Sequence, residues 1–146
     1  MAAKDNLVLG GLFQDVVNRV SHQRGRMTGW MEGNSVTLPQ ILILDLIAKK
    51  GPTPLALVAE TMQMSLSSTS QILERLVRQD LLRRAEHEGD RRKKILTVTA
   101  KAMNLLETAR RLRTQEFARE LGRLPKKLRD RLETTLKEVL SEIEKA

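Results

Sequence analysis

Between Ser65 and Arg78 the chain places short hydroxyls, an amide and guanidinium groups at the spacing of one helix face: Ser67, Ser68, Gln71, Glu74, Arg75 and Arg78. Ser65 heads the segment and is a cap, able to accept hydrogen bonds from the free N–H groups of a first turn. Leu66, Thr69, Leu73, Leu76 and Val77 fall on the other face and are expected to pack inward. Such a helix suits the major groove of a duplex. Small N-terminal side chains allow close approach, Gln can pair with adenine, and Arg can reach guanine or phosphate. The plain alternative is a solvated helix face.

A second cluster follows. Glu86-His87-Glu88-Gly89-Asp90 leads into four consecutive cations, Arg91, Arg92, Lys93 and Lys94. The flanks, Leu82-Arg83-Arg84-Ala85 and Ile95-Leu96-Thr97-Val98, alternate with period two, so the cations are expected at and below the tip of a hairpin, with Leu96 and Val98 facing in. A charged tip can be a solvated loop. An Arg on a thin protrusion beside a groove-reading helix also suits the narrow, electronegative minor groove. These arguments do not choose Arg92 over Arg91.

The composition agrees with a polyanionic partner. Among 146 residues there are 26 Lys plus Arg against 18 Asp plus Glu, a formal charge of +8, which favours nucleic acid through counterion release. A membrane surface is the competing polyanion, but no apolar run approaches the roughly 20 residues that span a bilayer, and no charged-then-apolar export signal opens the chain. The expectation is a soluble cytoplasmic protein without membrane association. The absence of Cys excludes disulfides, thiolate nucleophiles, thiol redox sensing and Cys-ligated zinc. His22 and His87 stand far apart without a second ligand at metal spacing, so neither a metal nor another cofactor is expected. No nucleophile with a base and no phosphate-cradling loop is present, since Gly10-Gly11 lacks the spacing, so an enzyme is not expected.

The positioning elements read as follows. One long amphipathic helix is expected over 6–24, with Leu9, Leu12, Phe13, Val16, Val17 and Val20 as its stripe. Residues 25–35, with Gly25, Gly29 and Gly33, read as an irregular or broken helical connection. Thr37-Leu38-Pro39-Gln40 opens a buried helix that Gly51-Pro52 stops. Thr53-Pro54 is expected to cap a short helix burying Leu57, Val58 and Met62, with a tight turn at Gln63-Met64; the two short helices make a helix-turn-helix. Thr99 caps a helix to about Leu121 along Ala102, Leu105, Leu106, Ala109 and Leu112. After Gly122, Pro125 opens a last helix with Leu128, Leu132, Leu136, Val139, Leu140 and Ile143 as its stripe. The fold class is mainly α with a small β-wing. A single domain, 1–146, is expected: an N-terminal dimerisation helix and connection at 6–36, a winged helix-turn-helix at 37–98, and C-terminal dimerisation helices at 99–146. The outer stripes need another surface, and a second copy is the simplest; the alternative is a monomeric bundle.

The run Thr37-Leu38-Pro39-Gln40, the serine-rich helix with Leu76, and Asp90-Arg91-Arg92 leading through Leu96-Thr97-Val98-Thr99 resemble the multiple antibiotic resistance regulator (MarR) family over nearly the whole chain. The wing signature, Asp90-x-Arg92 followed by hydrophobic-x-hydrophobic-Thr, is the sharpest element. The resemblance implies a homodimeric winged helix-turn-helix transcription factor. Such a factor is usually a repressor on an inverted-repeat operator, released when a small, often aromatic or phenolic, effector binds. It implies that Ser67, Ser68, Ser70 and Gln71 meet bases or phosphates, that Arg92 enters the minor groove, that Asp90 braces the wing, and that Arg91 touches backbone. Together the candidate DNA-facing set is Ser65, Ser67, Ser68, Ser70, Gln71, Arg75 and Arg78 with Asp90, Arg91, Arg92, Lys93 and Lys94. Two positions depart from the family pattern: Asp80 and Ala102 stand where Gly is usual. Asp tolerates left-handed backbone. Trp30, the single Trp, marks a candidate effector pocket between the first helix, residues 25–35 and the winged module, or else plain core or dimer-interface packing. The alternative function is a winged-helix protein-interaction module without specific DNA binding.

Overall fold

Thr37 begins a largely buried helix because Gln40, one turn in, reaches back and accepts from the Thr37 N–H at 2.8 Å, leaving Pro39 in the first turn, where its missing donor is harmless. This helix, α3 (Leu38–Lys50), buries Ile41, Ile43, Leu44 and Ile47. Each such side chain contributes about 1.5–3 kcal/mol on leaving water. Gly51, at φ 80°, ends α3 by donating to the Ile47 carbonyl at 2.9 Å.

The computed structural model describes residues 2–21, 26–87 and 89–145; side chains are described for 6–20, 27–85, 89 and 95–145. Two compact units are formed: Thr28–Arg111, and Met1–Met27 with Leu112–Ala146. In the first unit, α3 is followed by β1 (Thr53–Pro54), α4 (Leu55–Thr61), α5 (Leu66–Arg78), β2 (Leu82–His87), β3 (Asp90–Val98) and the start of α6 (Ala100–Leu121). The sheet is antiparallel in the order β1-β3-β2. Leu82 pairs with Val98 and Arg84 with Leu96, and the register shifts at Glu86 and His87 near the tip. Leu96 is buried, as its inward phase requires, while Val98 is half-buried.

The segment after Gly51 departs from expectation. Thr53-Pro54 is not only a helix start: it forms a third strand, with Thr53 opposite Leu96 and Pro54 opposite Ile95. Pro54 lies on an edge strand, where no ladder N–H is missed, and it also precedes α4 as its cap. That helix buries Val58 and Ala59, whereas Leu57 and Met62 are half-buried. Residues 25–35, expected to be an irregular or broken helical connection, contain a separate short helix, α2 (Arg26–Gly33), which agrees with the second of these readings. Gly29 and Gly33 meet nothing within 4 Å at a Cβ position, so they lower helix propensity without being required by packing, and the surroundings override that preference.

Three helices end in one motif. The Val36 N–H donates to Met31 O, Met64 N–H to Ala59 O and Leu81 N–H to Leu76 O, at 3.0, 2.9 and 2.9 Å. Each of these six-to-one bonds leaves the preceding residue left-handed: Ser35 at φ 53°, Gln63 at 51° and Asp80 at 57°. Glycine is the usual occupant of that position. Here three residues with Cβ atoms hold it.

The second unit comprises α1 (Ala2–Ser21), the end of α6 and α7 (Lys126–Lys145). Buried Glu116 accepts from the Met27 N–H at 3.2 Å, satisfying an amide at the head of α2 that has no partner within its own helix. Gly122 leaves α6 where a Cβ would stand 2.8 Å from the Ala118 carbonyl, which explains the residue type at this exit. The stripe of α1 is largely exposed, with Phe13 at 64%, and so is that of α7, with Ile143 at 66%. Leu132 is half-buried, and α7 has no buried residue.

Candidate nucleic-acid interface

Ser65 sets the start of α5. Its side chain accepts from the Ser68 N–H at 3.1 Å and donates to the Ser68 hydroxyl at 2.9 Å. Thr69, one turn in, turns its hydroxyl back to the Ser65 carbonyl at 2.9 Å, so this buried polar group is satisfied within the helix. Leu73 and Leu76 complete the inward face. The two hydrophobic anchors and the Thr fix which side of α5 meets solvent.

That side carries Ser65, Ser67, Ser68, Gln71, Glu74, Arg75 and Arg78, all exposed, with Ser70 half-buried at its margin. Among the described residues the side chains of Ser67, Ser70, Gln71 and Arg75 make no hydrogen bond or ion pair. Arg78 makes one weak bond, 3.4 Å from Nε to the Glu74 carbonyl. The face therefore offers hydroxyl, amide and guanidinium donors that the fold leaves uncommitted. Arg83 on β2 and Lys101 on α6 are exposed cations of the same unit.

Leu66 departs from expectation. Assigned inward by its spacing, it is 58% exposed. It occupies the first turn, where α5 projects past the core that Leu73 and Leu76 reach; helical spacing gives the angle around an axis and says nothing of depth along it. An apolar side chain thus stands exposed in the first turn of α5, on the Leu73 side of the helix.

In the wing, Asp90, Arg91, Arg92, Lys93 and Lys94 all lie on β3, with Asp90 opposite His87 and Lys94 opposite Glu86. Their backbone forms the rising strand of the hairpin, and their side chains lie outside the described residues. His22 also lies outside them, as does the side chain of His87. Trp30 is half-buried on α2, and the Asn34 amide donates to its carbonyl at 2.8 Å. An open groove of about 390 Å3 between α3 and α6 is lined by Asp45, Lys49, Met103, Asn104, Glu107 and Arg110, without Trp30. Among the described residues no three His, Cys, Asp or Glu side chains are grouped to hold a metal ion, and no helix is long and apolar enough to cross a membrane.

Comparison with known proteins bears on this geometry. Residues 34–93 match the MarR family. An HTH-type transcriptional regulator of Bacillus subtilis (strain 168), YfiV, is 31% identical over 81 residues, 56% of this chain and 50% of that protein; the match spans half of the relative's length. The regulator Tm0710 from Thermotoga maritima superposes with a TM-score of 0.79 at 19% identity, over 95% of this chain and 96% of its own. The apo form of wild-type MarR from E. coli gives 0.73 at 21% identity, over 90% and 96%. A mutant of S. aureus MepR, solved bound to an oligodeoxyribonucleotide, gives 0.69 at 18% identity, over 92% and 97%. The sequence match runs from the turn before α3 into β3 of the wing, and the likeness of fold extends to the helices on both sides of it: residues 34–93 resemble the MarR family, and the chain has the winged helix-turn-helix fold of the MarR-type structures.

Proposed function

We propose that two copies of this chain bind an inverted-repeat operator as a sequence-specific, ligand-responsive transcriptional repressor. The observation that carries the reading is the solvent face of α5, whose Ser67, Ser70, Gln71 and Arg75 side chains are unengaged among the described residues. Ser67, Ser68, Ser70 and Gln71 read base edges or phosphates, and Arg75 and Arg78 hold the backbone further along the helix. Leu66 adds an apolar surface at the same end, suited to the C5-methyl group of thymine. Arg92 enters the minor groove from the wing, Asp90 braces it, and Arg91, Lys93 and Lys94 serve phosphates. The oligodeoxyribonucleotide held by the S. aureus relative supports this choice of partner.

The exposed stripes of α1 and α7 support the dimer. Leu12, Phe13 and Val16 on one helix and Val139, Leu140 and Ile143 on the other form more apolar surface than an unpartnered helix keeps in water. An isologous pairing spaces two recognition helices by about one turn of DNA, roughly 34 Å. The effector is proposed on chemistry alone: half-buried Trp30 supplies an indole able to pack against an aromatic ring. Titration of a duplex from the gene's own promoter against salt tests the whole reading. Sequence-selective binding with a steep negative salt dependence is expected; binding without selectivity or salt dependence would favour a protein-interaction module.

A further inference from the structure

Recognition through α5 requires more than the right side chains. The helix has 13 residues and is therefore about 20 Å long, so a tilt of about 3° at one end moves the other by about 1 Å. Base contacts tolerate about half of that. The buried Thr69, Leu73 and Leu76 fix how deeply α5 sits, but apolar packing is not directional and leaves rocking along the axis to other restraints.

Directional restraints lie at the far end of the helix: Thr99 bonds the carbonyls of Asp80 and Leu81 just beyond it, and Gln79 adds two more. Its side-chain Nε2 donates to the Ser35 carbonyl at 2.9 Å, in the left-handed turn after α2. Its main-chain carbonyl accepts from Lys101 Nζ at 2.7 Å, in the first turn of α6. One residue thus ties the exit of α5 to two separate segments, each by a directional bond. Stability does not account for the choice of residue. Gln79 Oε1 is buried without a hydrogen-bond partner among the described residues, a desolvation cost that an unbranched apolar side chain of similar length would not carry. We infer that Gln79, with Lys101, is a positioning residue that sets the attitude of the recognition helix, at some expense in stability.

This inference rests on the DNA-binding reading, and the test separates the two. Duplexes selected from a random pool by the full wild-type chain are compared with scrambled duplexes of equal composition, using Gln79→Met and Lys101→Met far below their melting temperatures. Gln79→Met is expected to melt no lower than wild type and to keep its affinity for the scrambled duplex. Its affinity for the selected duplex should fall by about tenfold, the size of one lost base contact. Lys101→Met, an exposed site that does not threaten folding, should lose selectivity in the same way; equal loss on both duplexes with a shallower salt slope would make it a phosphate ligand instead and overturn its positioning role. Full selectivity in both variants would overturn the inference while leaving DNA recognition standing. If the wild type selects no sequence, both fall.

Discussion

Thr99 Oγ1 donates to the Asp80 carbonyl at 2.7 Å and accepts from the Ala102 N–H at 3.1 Å. One hydroxyl therefore closes the exit of α5 and caps α6 at the same time, while the Thr99 N–H bonds the Leu81 carbonyl at 3.2 Å. Thr99 is buried, and its bond from the Ala102 N–H lies away from water.

Thr99→Val keeps the shape and removes both side-chain bonds. It is expected to destabilise the chain by about 1–3 kcal/mol, the cost of leaving buried polar groups unmatched. Denaturant unfolding of the two proteins measures this; an unchanged midpoint would mean that the Thr99 hydroxyl does not hold this junction.

Asp80→Gly is expected to act in the opposite direction. A Cβ at φ 57° costs about 1–2 kcal/mol, partly offset by the greater unfolded-state entropy of glycine. A gain of about 0.5–1 kcal/mol in the same assay is expected, and a loss would show that the Asp80 side chain contributes more than its backbone strain costs.

Much of this organisation is legible in the sequence because the signals are local. Ser65, Thr37 with Gln40, Gly51 and Thr99 carry capping chemistry within one turn of the boundaries they set, and Asp80 stands at a left-handed position the family pattern marks with glycine. What escapes reading is non-local. The strand at Thr53 depends on pairing with Leu96, far along the chain, and two residues make no periodicity. The bonds at the two ends of the helix over 26–33, Met27 to Glu116 and Val36 to Met31, could not be read from its glycine-rich sequence, which left an irregular and a broken helical connection open. Leu66 is misread because the pattern cannot report where the core ends, and the Gln79 contacts join segments that no spacing rule connects.

Leu66→Ala tests the thymine reading. On a selected duplex the loss is expected to be about 1 kcal/mol, of the order of one apolar base contact. Replacing thymine by deoxyuridine at the contacted position should weaken wild-type binding and leave Leu66→Ala indifferent. Equal sensitivity of both proteins to the methyl group would remove the contact.

In the wing, Arg92→Ala is expected to cost about 1–3 kcal/mol of operator binding, while Arg91→Ala, at the position proposed to meet phosphate, is expected to lower affinity for all duplexes alike and to reduce the salt slope by about one. Competition binding at several salt concentrations distinguishes them. Normal binding by Arg92→Ala with a defect in Arg91→Ala would reverse the assignment.

The central claim is that two copies of the chain present paired α5 helices to one inverted repeat. Analytical ultracentrifugation of the purified chain, alone and with a selected duplex, tests it most directly. A dimer free in solution and two chains per duplex are expected, with Leu140→Glu on the exposed stripe of α7 shifting the free protein toward monomer and weakening operator binding. A monomer at working concentration, with no preference for any inverted-repeat fragment, would contradict the account.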